Sequence, residues 1–228
     1  MLAKGDAPGS LGYAIHAHLF SRRELHSLAV DLAGEPLQRS RAGARHILGC
    51  KAVARLAQDS RLTEIASSWL GASAIPFKAT LFDKNPDANW LVAWHQDTAL
   101  PMCEHREVEG WGPWSEKFGV TYAHAPGRVL ERIVALRLHL DDSSEDNGPL
   151  RVLPGTHTSG VLSDAQVHEL SLRVQPVSCT ANAGGMVVMR PLLIHASSKL
   201  TEQAPRRVLH LEYAATLDVG PGLRLRAA

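Results

Sequence analysis

The stretch IVALRLHLDDSSEDNGPLRVL, residues 133–153, decides the fold. Val134, Leu136, Leu138 and Leu140 alternate with Ala135, Arg137, His139 and Asp141, the period of two that marks a strand with one buried face. Asp146-Asn147-Gly148-Pro149 then breaks the chain before a second short run, Leu150–Leu153. The pattern repeats outward. Upstream lie the β-prone runs Ile75–Asp83 and Trp90–His95, separated by the turn-rich segment Lys84–Asn89. Downstream lie Leu172–Cys179, Met186–His195 and Arg206–Ala214, with Asn182-Ala183-Gly184-Gly185 as a further break. Ser163-Asp164-Ala165-Gln166, a capping box, predicts the one helical interruption. Short strands punctuated by Gly, Pro and Asn predict an antiparallel barrel or jelly roll rather than βαβ units.

Helical signals occupy the first third. Ser21-Arg22-Arg23-Glu24 reads as a capping box, followed by Leu25, Leu28, Ala29 and Leu32 at helical spacing, with Gly34 as a stop. Leu62, Ile65, Ala66, Trp69 and Leu70 repeat the spacing between a Ser60 cap and Gly71, and Ala52, Val53, Leu56 and Ala57 predict a shorter helix before them. Arg39, Arg41, Arg45, Lys51, Arg55 and Arg61 make this region basic. A solvated helix face is the plain reading, and attraction of an anionic substrate the sharper one. The expected organisation is one domain, residues 1–228, with a helical part over about 15–71 and a β core over about 75–215. A long loop at about 100–130 without clear periodicity reads as a functional lid or a disordered insert, and its Trp111 and Trp114 favour the lid. Gly220–Ala228 reads as a frayed tail.

Composition narrows the class. At 228 residues the chain can bury a full core without disulfides or structural metal, and 45% hydrophobic with 21% charged residues is an ordinary globular balance. A formal net charge of +1 gives no reason to expect nucleic-acid or membrane binding, so a small-molecule partner is expected. Cys50, Cys103 and Cys179 are odd in number and scattered, which suggests reduced thiols in a cytoplasmic protein. The amino terminus shows no signal-peptide pattern, and no run approaches membrane-span length, in keeping with that setting.

The 12 histidines are the unusual count. His95-Gln96-Asp97 puts an imidazole and a carboxylate on the same side of an extended backbone, where both can grip one metal ion. A second His from a distant strand would complete a 2-His-1-carboxylate triad suited to Fe(II). His139-Leu140-Asp141, His105-Arg106-Glu107 and His210-Leu211-Glu212 offer the same spacing. His95 stands apart because its strand runs into irregular chain, so its ring can sit at a barrel mouth. His139 shares a face with Arg137 and reads first as structural, His105 falls in the loop, and His210 follows an arginine pair. His195 closes an apolar run where polar residues begin, which makes it the candidate third ligand. Arg206 shares a strand face with Val208, His210 and Glu212, opposite the more apolar Arg207, Leu209, Leu211 and Tyr213. Its guanidinium fork suits a carboxylate. Lys78, on a strand leading to the site, and Arg137, on a polar face, are candidates for contact with cosubstrate or an anionic substrate. Two other classes would use these residues differently: a zinc hydrolase with the same ligands, and a non-catalytic jelly-roll binding module.

Three ordered motifs carry a resemblance. Leu81-Phe82-Asp83-Lys84 through Trp90 to Trp94-His95-Gln96-Asp97, then Asp146-Asn147-Gly148-Pro149-Leu150 to Leu153-Pro154-Gly155-Thr156-His157, then His195-Ala196-Ser197 and Arg206, together resemble the phytanoyl-CoA dioxygenase family over about residues 10–215. The resemblance implies a mainly β (α+β) chain, a double-stranded β-helix of the cupin-like jelly-roll kind with amino-terminal helices packed on it. It implies Fe(II) held by His95, Asp97 and His195, 2-oxoglutarate as cosubstrate with Arg206 and Ser197 on its far carboxylate, and O2. The implied reaction is hydroxylation of an unactivated C–H of a small molecule, with release of succinate and CO2. Asp97 stands where related halogenases have a small residue, which disfavours halogenation. Members that hydroxylate a fatty acyl-CoA are longer, and the terminal Arg226-Ala227-Ala228 is not a peroxisomal tripeptide, so phytanoyl-CoA is not the implied substrate. Trp111 and Trp114 as a lid, and His157 beside the cavity, complete the expected substrate contacts.

Overall fold

The computed structural model describes residues 9–40, 43–201 and 204–227. In chain order its elements are β1 (Tyr13–His16), α1 (Arg22–Ala33), β2 (Arg39–Ser40), β3 (Gly43–Arg45), α2 (Lys51–Ala57), α3 (Ser60–Leu70), β4 (Ile75–Lys84), β5 (Val92–His95), β6 (Ala99–Met102), β7 (Trp114–Lys117), β8 (Val120–His124) and α4 (Gly127–Leu130). They continue as β9 (Ile133–His139), β10 (Leu150–Val152), α5 (Asp164–Arg173), β11 (Val177–Cys179), β12 (Met186–Met189), β13 (His195–Ser197), β14 (Arg206–Ala214), β15 (Asp218–Gly220) and β16 (Leu223–Arg224). A seven-stranded sheet runs β1-β12-β9-β14-β4-β3-β2, and a four-stranded sheet runs β11-β10-β13-β5. Every pairing in both is antiparallel.

The alternation read from β9 and β14 explains the layering. Val134, Leu136 and Leu138 of β9, with Leu209, Leu211 and Tyr213 of β14, point out of the large sheet and join one cluster with Leu25, Leu28, Val53, Leu62, Ala66 and Trp69 of the three helices. The Tyr213 hydroxyl donates to Ala57 O at 3.0 Å, tying sheet to helix. The outer face of this sheet is therefore apolar because helices cover it. Arg137, Arg206 and His210 take the other face and line a cavity between the sheets. Both capping boxes form as read, at Ser21/Glu24 and Ser163/Gln166, but Asp59 rather than Ser60 caps α3, accepting from Arg61 N.

Four local expectations are corrected. Leu172 belongs to α5 and is exposed: Val167 and Leu170, three apart, set a helical face, and Pro176 delays the strand to Val177–Cys179. Met186–His195 is two strands, because Pro191 has no N–H to give a ladder, and the chain crosses there from the large sheet to the small one. The stretch at 100–130 is mostly a three-stranded sheet, β6-β8-β7, followed by α4. Trp111 is buried within it against a cluster holding Leu100, Met102, Ala125, Leu223 and Leu225, with Trp114 packed alongside. Two of those partners come from the supposed frayed tail, where Arg226 N donates to Pro101 O and Cys103 N to Arg224 O. The residues expected to form a lid thus share a small core with the carboxyl end, a long-range partnership that local periodicity does not reveal.

Trp111→Ala should lower the unfolding free energy by about 3–5 kcal/mol in urea denaturation, as for other large buried aromatics. Unchanged stability together with lost turnover would instead make Trp111 a lid residue.

Candidate active site

β5 ends at His95 and β13 begins at His195, and the two residues lie opposite each other across an antiparallel pair, with ring centroids 4.2 Å apart. Each ring is held from behind: Nδ1 of His95 is 2.8 Å from Ala93 O, and Nδ1 of His195 is 2.9 Å from Leu193 O. A carbonyl only accepts, so each Nδ1 donates, and in the neutral ring the lone pair is then on Nε2. Both Nε2 atoms turn to Asp97, 3.6 Å from Oδ1 for His95 and 3.4 Å from Oδ2 for His195. One ligand atom from each residue lies within 4.8 Å of the other two, and no other group of three such side chains is found among the described residues. Burial opposes charge here, but the two rings in their protonated form outweigh it and hold Asp97 well below the usual carboxylate range, while Asp97 raises His95. Gln96, which sequence reasoning passed over, pins the corner: its Nε2 donates to Gly160 O and Leu192 O, and its Oε1 accepts from Leu162 N. Asp97 N donates to Pro191 O at 2.9 Å.

These three residues open on a cavity of about 230 Å3 whose walls also include Lys78, Lys84, Arg137, Ser197, Arg206 and His210. Arg206 is 3% exposed. Its Nε donates to Asn147 O at 3.2 Å and its Nη2 to Ser197 Oγ at 3.4 Å, while Nη1 is buried with no partner. Arg137 donates through Nη1 to His210 Nδ1 at 3.0 Å. His210 Nε2 faces Glu212 at 3.6 Å, and Glu212 pairs with Lys78 at 2.6 Å. Burial, and after it mutual repulsion, pulls Lys84 down to about 7 and lowers Arg206. Burial lowers Arg137 as well. Among the described residues no carboxylate is in ion-pair distance of Lys84, Arg137 or Arg206. The cavity is built to receive an anion.

The other sequence candidates separate. Lys78 and Arg137 line the cavity, both already engaged with protein groups. Trp111 and Trp114 lie in the second core, and Trp114 stacks on His105 at 4.5 Å. His157 packs beneath the Gly12 turn and lines a separate hollow with Arg190 and Leu192. Neither the two tryptophans nor His157 touches the cavity. Of the competing pairs, Asp141 is taken by Arg207, and Glu107 by His105. His139 is buried without a partner on either ring nitrogen, and burial followed by Arg137 and Arg206 pushes it down to about 3, so it is neutral. Within the basic region, Arg55 and Arg61 pair with acidic neighbours, and Arg41 lies outside the described residues. Of the described residues of that group, Arg45 alone reaches the cavity, which it shares as a wall with a second chamber of about 390 Å3 lined also by His46, Phe118 and Arg226. Lys84 was readable in principle: Lys78, Thr80, Phe82 and Lys84 alternate along one face of β4.

A double-stranded β-helix with two His, one Asp and a buried unpaired Arg in one cavity defines the class of non-haem iron, 2-oxo-acid-dependent oxygenases. Comparison with known proteins agrees. The model of the phytanoyl-CoA dioxygenase (PhyH) family matches residues 16–208. L-proline trans-4-hydroxylase of Streptomyces griseoviridis is 25% identical, over 78% of this chain and 69% of that protein. EctD from S. alaskensis in its apo form superposes with a TM-score of 0.70 at 22% identity, covering 92% of this chain and 75% of that one. The non-haem α-ketoglutarate-dependent epimerase SnoN from nogalamycin biosynthesis gives 0.68 at 19% identity, over 96% and 82%. The chain belongs to the phytanoyl-CoA dioxygenase family. It is a dioxygenase of the Fe(II)- and 2-oxoglutarate-dependent kind. No helix among the described residues is long and apolar enough to cross a membrane.

The residues present fit both groups: two Nε2 lone pairs and a carboxylate for the metal, and an unpaired guanidinium nitrogen for the cosubstrate. The Lys78–Glu212 pair beside them is already an internal ion pair. Lys78→Met should destabilise by about 3–5 kcal/mol because it leaves a buried carboxylate uncompensated. The double variant K78M/E212Q should recover most of that loss in thermal or urea unfolding.

Proposed function

We propose that His95, Asp97 and His195 bind the iron and that Arg206 receives the distal carboxylate of 2-oxoglutarate, with Ser197 beside it. The buried, partnerless Nη1 of Arg206 in the cavity of the two Nε2 atoms carries this reading. Iron with 2-oxoglutarate and O2 supplies the oxidising power for C–H hydroxylation, with succinate and CO2 released. The chain's own residues bind, orient and exclude water. Ala93 O and Leu193 O fix the tautomer of each ligand imidazole. Phe82, Trp90, Val92 and Leu150 give the cavity apolar walls that keep water from the reacting carbon. A zinc hydrolase would need a general base, and the nearby candidates are committed: Glu212 to Lys78, and His210 to Arg137. A binding module would leave the metal-competent triad and the unpaired guanidinium without use.

The second chamber is the proposed entry for substrate. Arg45 and Arg226 give it a cationic side, while Ile47, Phe118 and Val120 give it an apolar one. A small molecule with one acidic group and an aliphatic body suits both, the description that fits an amino-acid-sized substrate such as that of the related L-proline hydroxylase. Lys78 and Arg137 line the cavity of the proposed iron site. A cytoplasmic setting accords with Cys50, Cys103 and Cys179 all being free thiols.

Asp97→Ala should abolish succinate release from 2-oxoglutarate, measured with and without candidate substrates; full turnover in that variant contradicts the ligand assignment. Arg206→Gln should raise the KM for 2-oxoglutarate by about 10- to 100-fold, the worth of a charge-assisted hydrogen bond.

A further inference from the structure

Lys84 closes β4 directly opposite Arg206 on β14. Two like charges facing each other across an antiparallel pair repel, and here both are buried, at 0% and 3% exposure. Arg137 adds a third cation nearby, and burial with these two arginines leaves the Lys84 ammonium easier to deprotonate, near 7. The architecture nevertheless holds Lys84 in place with care. Nζ donates to Ser197 Oγ at 2.8 Å and to Ser198 O at 2.6 Å, and it lies 5.2 Å from the Trp90 ring. Gly148, at φ +67, leaves bare the space a Cβ would need, where it would meet Ser198 O and Lys84 Nζ.

Counting donors shows what this arrangement leaves free. Ser197 has one hydroxyl proton, and it goes to Gly148 O at 3.0 Å. Its lone pairs accept from Lys84 and, at 3.4 Å, from Arg206 Nη2. The hydroxyl is therefore saturated and has no proton to offer an incoming carboxylate. An ammonium has three donors, and Lys84 uses two. One N–H of Lys84, together with Nη1 of Arg206, remains unspent on the cavity wall. We infer that Lys84 is a second direct donor to the distal carboxylate of the cosubstrate, with Ser197 serving as the spacer that fixes the two cations around it. This rests on the proposed placement of 2-oxoglutarate against Arg206. It explains why two unpaired cations face each other in a buried position: a carboxylate between them turns repulsion into a two-sided clamp and selects dicarboxylic 2-oxo acids over those with an apolar tail.

The test is anaerobic calorimetric titration of the Fe(II)-loaded protein with 2-oxoglutarate and with 2-oxopentanoate, in which a methyl group replaces the distal carboxylate. Wild type should prefer 2-oxoglutarate. K84M should weaken 2-oxoglutarate binding by about 10- to 100-fold and leave 2-oxopentanoate and Fe(II) affinity unchanged, and K84R should restore 2-oxoglutarate to within a few-fold. If K84M does not fold, K84Q, which keeps donors for Ser197 and Ser198 but loses the charge, takes its place with the same expectations. Equal 2-oxoglutarate affinity in wild type and variant overturns the inference, as does a parallel loss of both ligands, which marks Lys84 as structural. A wild type that does not discriminate between the two acids overturns the Arg206 placement itself, and the clamp with it.

Discussion

Antiparallel pairing of β13 with β5 sets His195 opposite His95, and the site depends on that register. A slip of one residue would turn one imidazole to the other face of the sheet. Three features protect the register. Pro191 ends the large-sheet strand and commits the chain to crossing over, and Asp97 N bonds back to Pro191 O. Gln96 ties the same corner to Leu192 and to the segment at 160–162. Carbonyls two residues upstream of each His then hold the rings, so that both Nε2 atoms converge on Asp97. This is pre-organisation by backbone, and it would relieve an ion bound at the proposed site of the need to order its own ligands.

The second constraint is charge. Helices cover the outer face of the large sheet, so its polar alternation is forced inward, where Lys84, Arg137, Arg206 and the Lys78–Glu212 pair share a small volume. Buried cations are costly unless compensated. Glu212 compensates Lys78 within the protein, whereas the remaining cations have no carboxylate partner among the described residues. In the proposed arrangement a dianionic cosubstrate, chelated at one end and clamped at the other, would supply the missing charge. Stability and specificity are then linked, because the cavity is least comfortable when empty.

Sequence periodicity revealed the sheet faces and the helical stop signals well, since both depend on neighbours within a few residues. It read His95, Asp97, His195 and Arg206 as candidates, and family resemblance, more than spacing, singled them out from three rival pairs. What it could not see were partnerships across long separations. Trp111 meets Leu223 and Leu225, so an apparently irregular stretch and an apparently frayed tail form one core. Lys84 sat in a stretch read as turn, although its alternation with Phe82 and Thr80 placed it on the cavity face. His157, close in sequence to motif residues, ends on another side of the fold because the chain turns through a short 3-10 helix after Gly155.

The central claim is that one metal site and one 2-oxo acid site share this cavity. The most direct measurement is the anaerobic visible spectrum of metal-free protein titrated with Fe(II) and then with 2-oxoglutarate, in wild type and in His195→Ala. The account predicts a weak charge-transfer band that needs both additions and is lost in the variant. Folded, iron-loaded wild-type protein that develops no such band would contradict it.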